Sequence, residues 1–356
     1  MQILINGRIL LRKITGIERY ARETLHQIDK NINPYEFKIA IPERCDKEQI
    51  PTYKNLEVVK VKGFKNGFLW DQISLPLYAK RNNGAIACFD FATSILFPGI
   101  STIHDMSFKA NREFFANSLN KKVVRWKLDW YCKSAVRSKY PIFTVTNYQK
   151  NEIKKFYNID DNKIVVAGNA WQHFENILED DSVFAEYNIL KNNYYFSLSS
   201  NTENKNFKWI YNAARSNQNS EFVIVGGKTS ISPKDLRSEK NIKYLGYQSD
   251  ERVKSLYRHC KAFIFPSFYE GFGTPPMEAM SVGAKIIISN TSCLPEVYGN
   301  SAYYIDPNNS NINIEELIQC NSVVDSETVL KKYSWKNTAQ IWVSILREVA
   351  NKNMND

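Results

Sequence analysis

Cysteine is sparse and scattered: Cys45, Cys88, Cys132, Cys260, Cys293 and Cys320 stand singly, with no C-x-x-C pair. In a chain of 356 residues this argues against a disulfide framework and for reduced thiols. Histidine is scarcer still. His26, His104, His173 and His259 lie far apart and form no H-x-x-x-H pair, so no protein-held metal centre is expected. No run approaches the roughly 18 consecutive apolar residues of a spanning helix. The opening MQILING reads as a strand, without the basic and apolar regions of a secretory signal, which predicts a cytoplasmic protein. No repeat of solenoid period is present.

Apolar residues are plentiful. At 43% hydrophobic and 13% aromatic, the composition excludes a disordered chain, and the length predicts two domains. Charge is uneven between them. Residues 1–170 carry 28 Lys/Arg against 16 Asp/Glu, whereas residues 171–356 carry 19 against 21. A basic half joined to a near-neutral half points to an anionic surface or substrate facing the first domain.

Short apolar runs alternate with helical patterns throughout, as in α/β domains with parallel sheets covered on both faces. In the first half, strands are predicted at MQILING, FKIAIP, LEVVKV, GAIACF, STIHD, PIFTVT and KIVVAGN, with helices over 16–28, 69–79, 121–138 and 147–156. The polar, acidic stretch 171–190 reads as a linker. A second series follows: YYFSLSS, EFVIVGG, IKYLGY, KAFIFPS, KIIISN and SAYYIDP, with a long amphipathic helix over 335–351. This gives two Rossmann-like domains in tandem, whose ligands bind at the carboxyl ends of the strands. The expected boundaries are 1–170 and 171–334, with 335–356 as a terminal helix packing back on the first domain.

The stretch 261–307 carries the most chemistry. A buried strand ends at Pro266, followed by Glu270-Gly271-Phe272-Gly273, and Thr274-Pro275-Pro276 opens a helix that contains Glu278. Thr274 is a good N-cap and proline suits a first helical turn. Glycines before a helix let the backbone approach a ligand, and the helix N-terminus favours a phosphate. With Glu278 expected in the first turn, one carboxylate can face a polyol on one side of that phosphate and the other a ribose.

This segment resembles the E-x7-E signature of retaining glycosyltransferases of family 4, which have the GT-B fold of two Rossmann-like domains facing a central cleft. The resemblance extends to TGIERYARETL over 15–25, to IHD over 103–105, to the loop 199–206, to LGYQSDERVKSLYRHCKAFIFPS and to YSWKNTAQ, and so covers nearly the whole chain. It implies that Glu270 and the amides of Gly271, Phe272 and Gly273, with Thr274 opening the helix, hold the donor sugar. It implies Glu278 on the ribose, Lys205 on the diphosphate, His104 on the sugar from the first domain, and Gly16 close to the diphosphate. Glu270 and His104 are then the catalytic candidates. His104 beside Asp105 also fits a hydrogen-bonded strand-end histidine, Lys205 a solvated loop lysine, and Gly16 a turn before a helix. The sequence departs from the family in three places. The loop 199–206 lacks the usual arginine, so that either Lys205 acts alone or Lys228 helps, with Arg19 a further candidate; AGNAWQHF replaces the usual interdomain P-N-G-V-D-x-F; and Lys285 stands where proline is common. No D-x-D occurs, which fits metal-independent transfer with no cofactor beyond the nucleotide-sugar substrate.

The predicted helix over 121–138 is strongly basic. Val124, Leu128, Tyr131 and Ala135 form one stripe, expected to pack on the sheet. Trp126, Trp130, Lys133 and Arg137 form another, which with Lys122 and Arg125 fits a helix lying on anionic lipid. The alternative is that both tryptophans are core. The combined expectation is a retaining glycosyltransferase, peripheral on the inner face of the plasma membrane. It would move a sugar, GDP-mannose being the first guess for the donor, to a lipid-linked saccharide in bacterial O-antigen or capsule synthesis. Two rivals are a GT-B nucleotide-sugar epimerase, which lacks the E-G-F-G-x-P-P-x-E loop, and a basic nucleic-acid-binding protein. The latter needs a recognition module that the sequence does not show, so no nucleic-acid partner is expected.

Overall fold

The computed structural model describes residues 1–116, 118–198, 202–226, 239–320 and 323–352. They divide into two compact units: Met1–Asn169 with Ser334–Asp356, and Ala170–Tyr333.

The first unit is built on parallel strands β1 (Gln2–Asn6), β2 (Phe37–Pro42), β3 (Glu57–Val61), β4 (Gly84–Ala87), β5 (Ser101–Thr102), β6 (Ile142–Thr144) and β7 (Ile164–Val166). Four of them pair in the order β3-β2-β1-β4 and three as β5-β6-β7, with a single parallel bridge from Ala87 to Ile100 joining the two sets. Register is set by apolar residues buried on both faces, Ile3 beside Phe37 and Leu4 beside Ile86. Strand order reverses direction between β1 and β4. The carboxyl ends there open a crevice, the topological switch point of a doubly wound sheet.

The helix expected over 69–79 runs from Gly67 to Arg81 and contains a π-helical turn, Trp70–Ser74. Pro76 explains the turn. It has no N–H to give the Gln72 carbonyl four residues back, and Ser94 Oγ donates to that carbonyl instead, at 3.3 Å.

The Leu119–Arg137 helix corrects one expectation. Tyr131 and Ala135 are buried as predicted, but Val124 is 48% exposed. A 19-residue helix spans about 28 Å, whereas strands of two or three residues span about 10 Å or less. The first half of the helix therefore overhangs the sheet it packs against.

The terminal helix, Trp335–Lys352, belongs to the first unit. Trp342 is fully buried, stacks on Phe143 at 3.6 Å between ring centroids and donates from Nε1 to the Tyr20 hydroxyl at 2.8 Å. Arg347 pairs with Glu36 through two hydrogen bonds of 2.6 and 2.9 Å.

The second unit holds one six-stranded parallel sheet, β8 (Tyr194–Leu198), β9 (Glu221–Val225), β10 (Ile242–Tyr244), β11 (Ala262–Phe265), β12 (Ile286–Ser289) and β13 (Tyr303–Ile305), in the order β10-β9-β8-β11-β12-β13. Its switch point lies between β8 and β11. The stretch 171–190 is no free linker. Lys254 is buried and its Nζ donates to the carbonyls of Phe174, Glu175 and Ile177 at 2.7–3.0 Å, while Arg252 and Arg258 bind Asp180 and Glu179. A buried ammonium needs such a full set of acceptors, and this one fastens the stretch to its unit.

Candidate functional site

The carboxyl end of β11 feeds residues 266–273, and the carboxyl end of β8 leads to residues 202–206. The two loops are stapled together: Asn204 Nδ2 donates to the Tyr269 carbonyl at 3.2 Å, and the Phe268 N–H to the Asn204 carbonyl at 2.8 Å. Asn206 takes the left-handed conformation (φ 51°) and anchors its side chain on the Pro307 carbonyl at 2.7 Å. The result brings Lys205 onto Glu270. Lys205 Nζ donates to both carboxylate oxygens, at 2.6 and 2.9 Å, beneath the Phe265 ring. Glu270 is 8% exposed, and its own N–H donates to Ser292 Oγ at 3.1 Å. Both residues stand at the switch point of the sheet. Lys205 is therefore no solvated loop lysine.

Gly273 is required by its backbone. It has φ 82°, and a Cβ there would lie 2.6 Å from Leu294 Cδ2; its carbonyl accepts from the Tyr298 hydroxyl. Gly273, and not Thr274, is the N-cap of the Thr274–Ser281 helix. Thr274 is the first helical residue, which moves Glu278 from the expected first turn to the second. Phe272 is buried, its ring edge-on to Tyr333 at 5.1 Å, so its side chain supports the loop from below. Gly271 lies on the same loop.

Glu278 has a partner that sequence reasoning did not single out. Its Oε1 lies 3.0 Å from Nε2 of His173, in the 3-10 turn Gln172–Phe174. That turn is tied down by Gln172 Nε2 donating to the Tyr333 carbonyl and Trp171 Nε1 to the Leu330 carbonyl, both at 3.0 Å. The signal was present as the unusual AGNAWQHF, legible as a departure and not as a contact.

His104 and Gly16 are in the first unit. His104 is buried, with Nε2 2.8 Å from the Phe89 carbonyl and its ring edge-on to Tyr20 at 5.0 Å. Burial lowers its pKa below the usual imidazole value, so the neutral ring donates from Nε2 and keeps Nδ1 as an acceptor. Gly16 begins the Gly16–Lys30 helix, capped by Thr15 with Glu18. A Cβ at Gly16 would meet nothing within 4 Å, so packing does not demand glycine there. Lys228 lies outside the described residues, as do Ser199, Ser200 and Asn201.

On the Leu119–Arg137 helix, Trp126 and Trp130 are 56% and 41% exposed, with ring centroids 4.2 Å apart. They are not core. Leu119 and Val123 are exposed too, and at 100° per residue both fall on the face of the two tryptophans. Lys122 and Lys133 are exposed around them and Arg125 half-buried; Lys133 pairs with Asp129 at 2.9 Å. Among the described residues no helix is long and apolar enough to cross a membrane. Glu179, Asp181 and His259 bring ligand atoms within 4.8 Å of one another, but the two carboxylates are occupied by Arg258 and Lys191.

Residues 179–333 match the family model of glycosyl transferases group 1. O-antigen chain mannosyltransferase B of Escherichia coli is 40% identical over 104 residues, 27% of each chain. O-antigen chain mannosyltransferase RfbU of Salmonella typhimurium is 27% identical over 259 residues, 69% of each chain. The match thus spans about a quarter of the length of the first relative and about two thirds of the second. A crystal structure of a glycosyltransferase from Rickettsia africae superposes with a TM-score of 0.66 at 15% identity, over 98% of both chains. The fold is GT-B, with two Rossmann-like sheets, and the glycosyl transferases group 1 match falls on the second unit.

Proposed function

We propose that this protein is a retaining glycosyltransferase that moves a sugar from a nucleotide donor, GDP-mannose by first preference, to a lipid-linked saccharide in O-antigen or capsule assembly. One observation carries the reading: Lys205 and Glu270 meet at the switch point of the second unit, on a loop with Glu278 poised beyond it. The names of the relatives support the mannosyl donor and the polysaccharide product.

In this reading Glu278, steadied by His173, accepts from the ribose hydroxyls, while the amides of Gly271, Phe272 and Gly273 approach the donor sugar. Lys205 and the start of the Thr274–Ser281 helix meet the charge that grows on the departing diphosphate. As the C1–O bond breaks, the acceptor hydroxyl attacks the oxocarbenium-like carbon on the same face, and its proton passes to the leaving diphosphate oxygen. Configuration is retained and no metal is called on. His104 offers Nδ1 to the sugar from the first unit, and Gly16 leaves open space for the diphosphate. The exposed Trp126 and Trp130, ringed by Lys122, Arg125 and Lys133, hold the enzyme on the anionic inner face of the plasma membrane, where lipid-linked acceptors reside.

Thermal-shift screening against GDP-, UDP- and dTDP-sugars tests the reading. Stabilisation by GDP-mannose, absent with an oligonucleotide, is the expected result; stabilisation by the oligonucleotide alone would contradict it.

A further inference from the structure

The switch point of the first unit holds a charged cluster that the donor chemistry does not use. Asn6 ends β1 and donates from Nδ2 to Asp71 at 2.9 Å. Arg8 pairs with the same carboxylate and also donates to the Gly67 carbonyl. Arg12 pairs with Asp90, just beyond β4, at 2.8 Å. These groups are layered. Asp71 and Asp90 are 4% and 5% exposed, whereas the side chains of Arg8 and Arg12 above them are 22% and 37% exposed. Each guanidinium carries five N–H donors in a rigid fork. Arg12 also lies 3.7 Å from the buried Glu18 carboxylate, and both forks, held from beneath by carboxylates, remain part-exposed to an outside acceptor.

The Arg8 guanidinium packs directly against the backbone at Gly67. A Cβ on Gly67 would lie 2.6 Å from the Arg8 guanidinium carbon. The next residue, Phe68, carries Lys127 of the Leu119–Arg137 helix over its ring at 4.9 Å. Among the described residues Lys127 has no ion pair; burial lowers its pKa, Asp71 and Asp90 oppose that shift, and Arg8 and Arg12 add to it, which places the ammonium within the field of the same four charges. Desolvating so many charges costs stability unless another demand retains them. A planar fork beside a point-charge ammonium matches phosphate oxygens.

We propose that Arg8, Arg12 and Lys127 form an anion site for the diphosphate of an isoprenyl-diphosphate-linked acceptor, positioned by Asp71, Asp90 and Gly67. This rests on the glycosyltransferase reading above. Lys127 lies about 70° round the same helix from the middle of the face that carries the exposed tryptophans, at 100° per residue, and flanks that face, so a lipid held at the bilayer surface would present its diphosphate beside it.

The test is calorimetry at low ionic strength, with the donor site filled by whichever nucleoside diphosphate stabilises the protein. Inorganic pyrophosphate and geranyl diphosphate are titrated into wild type, Arg12→Gln and Lys127→Gln. Wild type should bind both, and each substitution should weaken binding at least fivefold. Lys127→Gln keeps the test sound if loss of the Asp90 partner unfolds Arg12→Gln. Sedimentation of Arg12→Gln with phosphatidylglycerol vesicles should match wild type. Unaltered diphosphate binding in both variants overturns the proposal. So does loss of sedimentation with diphosphate binding intact, which would assign the cluster to bilayer headgroups. If no nucleoside diphosphate binds wild type, it is the glycosyltransferase reading that fails.

Discussion

Glu278 presents one oxygen to His173, and on the proposed function the other meets a ligand. If that ligand is the ribose diol, Glu278→Ala should weaken nucleoside diphosphate binding by about 1.5–3 kcal/mol, the worth of hydrogen bonds to a charged group. His173→Ala should weaken it less. The double variant should cost less than the two separate losses added, with a coupling of about 0.5 kcal/mol or more, as for residues in contact. Strict additivity in calorimetry would mean that His173 does not act through Glu278. Asp71 supplies a prediction with pH. Burial outweighs its pairing with Arg8 and raises its carboxyl to about 6. The folded state therefore holds this proton more tightly than the unfolded chain. The stability this confers is present below about pH 4, the unfolded value, and is lost as pH rises through about 6. Asp71→Asn removes the titration, so its stability relative to wild type should rise across that window, by on the order of 3 kcal/mol. Denaturant unfolding at pH 4 and pH 7 reads the difference. A constant offset would contradict the account.

Element by element, the strands were the most legible part, because runs such as FKIAIP and KIIISN are apolar on both faces, as a covered parallel sheet demands. Short helices such as Ser182–Glu186 and Ile314–Cys320 escaped because one or two turns show no periodicity. The stretch 171–190 has the composition of a linker because nothing local shows that Arg252 and Arg258 pair with its acidic residues and Lys254 with its carbonyls. Within the candidate site, Glu270, Glu278 and Lys205 were legible through a motif and its spacing. The pair His173–Glu278 and the cluster at Arg8 were not, since topology alone joins residues about 60 to 100 positions apart. The Leu119–Arg137 helix is where composition and structure agree on a surface but differ on its extent, through the overhang that exposes Val124. Each basic residue near an anionic bilayer contributes about 1 kcal/mol. Reversing Lys122, Arg125 and Lys133 to Glu should abolish sedimentation with anionic vesicles and leave nucleotide binding unchanged. Sedimentation that persists would make the helix a structural element only.

The whole molecule is assembled from both ends of the chain, since the first unit is completed by its last helix. Trp342 seals that closure against Phe143 and Tyr20. Trp342→Ala should destabilise the protein by about 3–5 kcal/mol, the usual cost of emptying a large buried aromatic site; a loss under about 1 kcal/mol in chemical denaturation would show the helix to be dispensable. On the proposed function, the donor site at this scale is one whose positive and negative groups neutralise one another until substrate arrives. Glu270 pairs with Lys205 and on that reading competes with the diphosphate for it. The most direct measurement compares nucleoside diphosphate affinity with sugar transfer in Glu270→Gln. Affinity should be equal to wild type or tighter, because Lys205 is released, while turnover should fall at least tenfold. Wild-type turnover in that variant would remove Glu270 from the site and contradict the account.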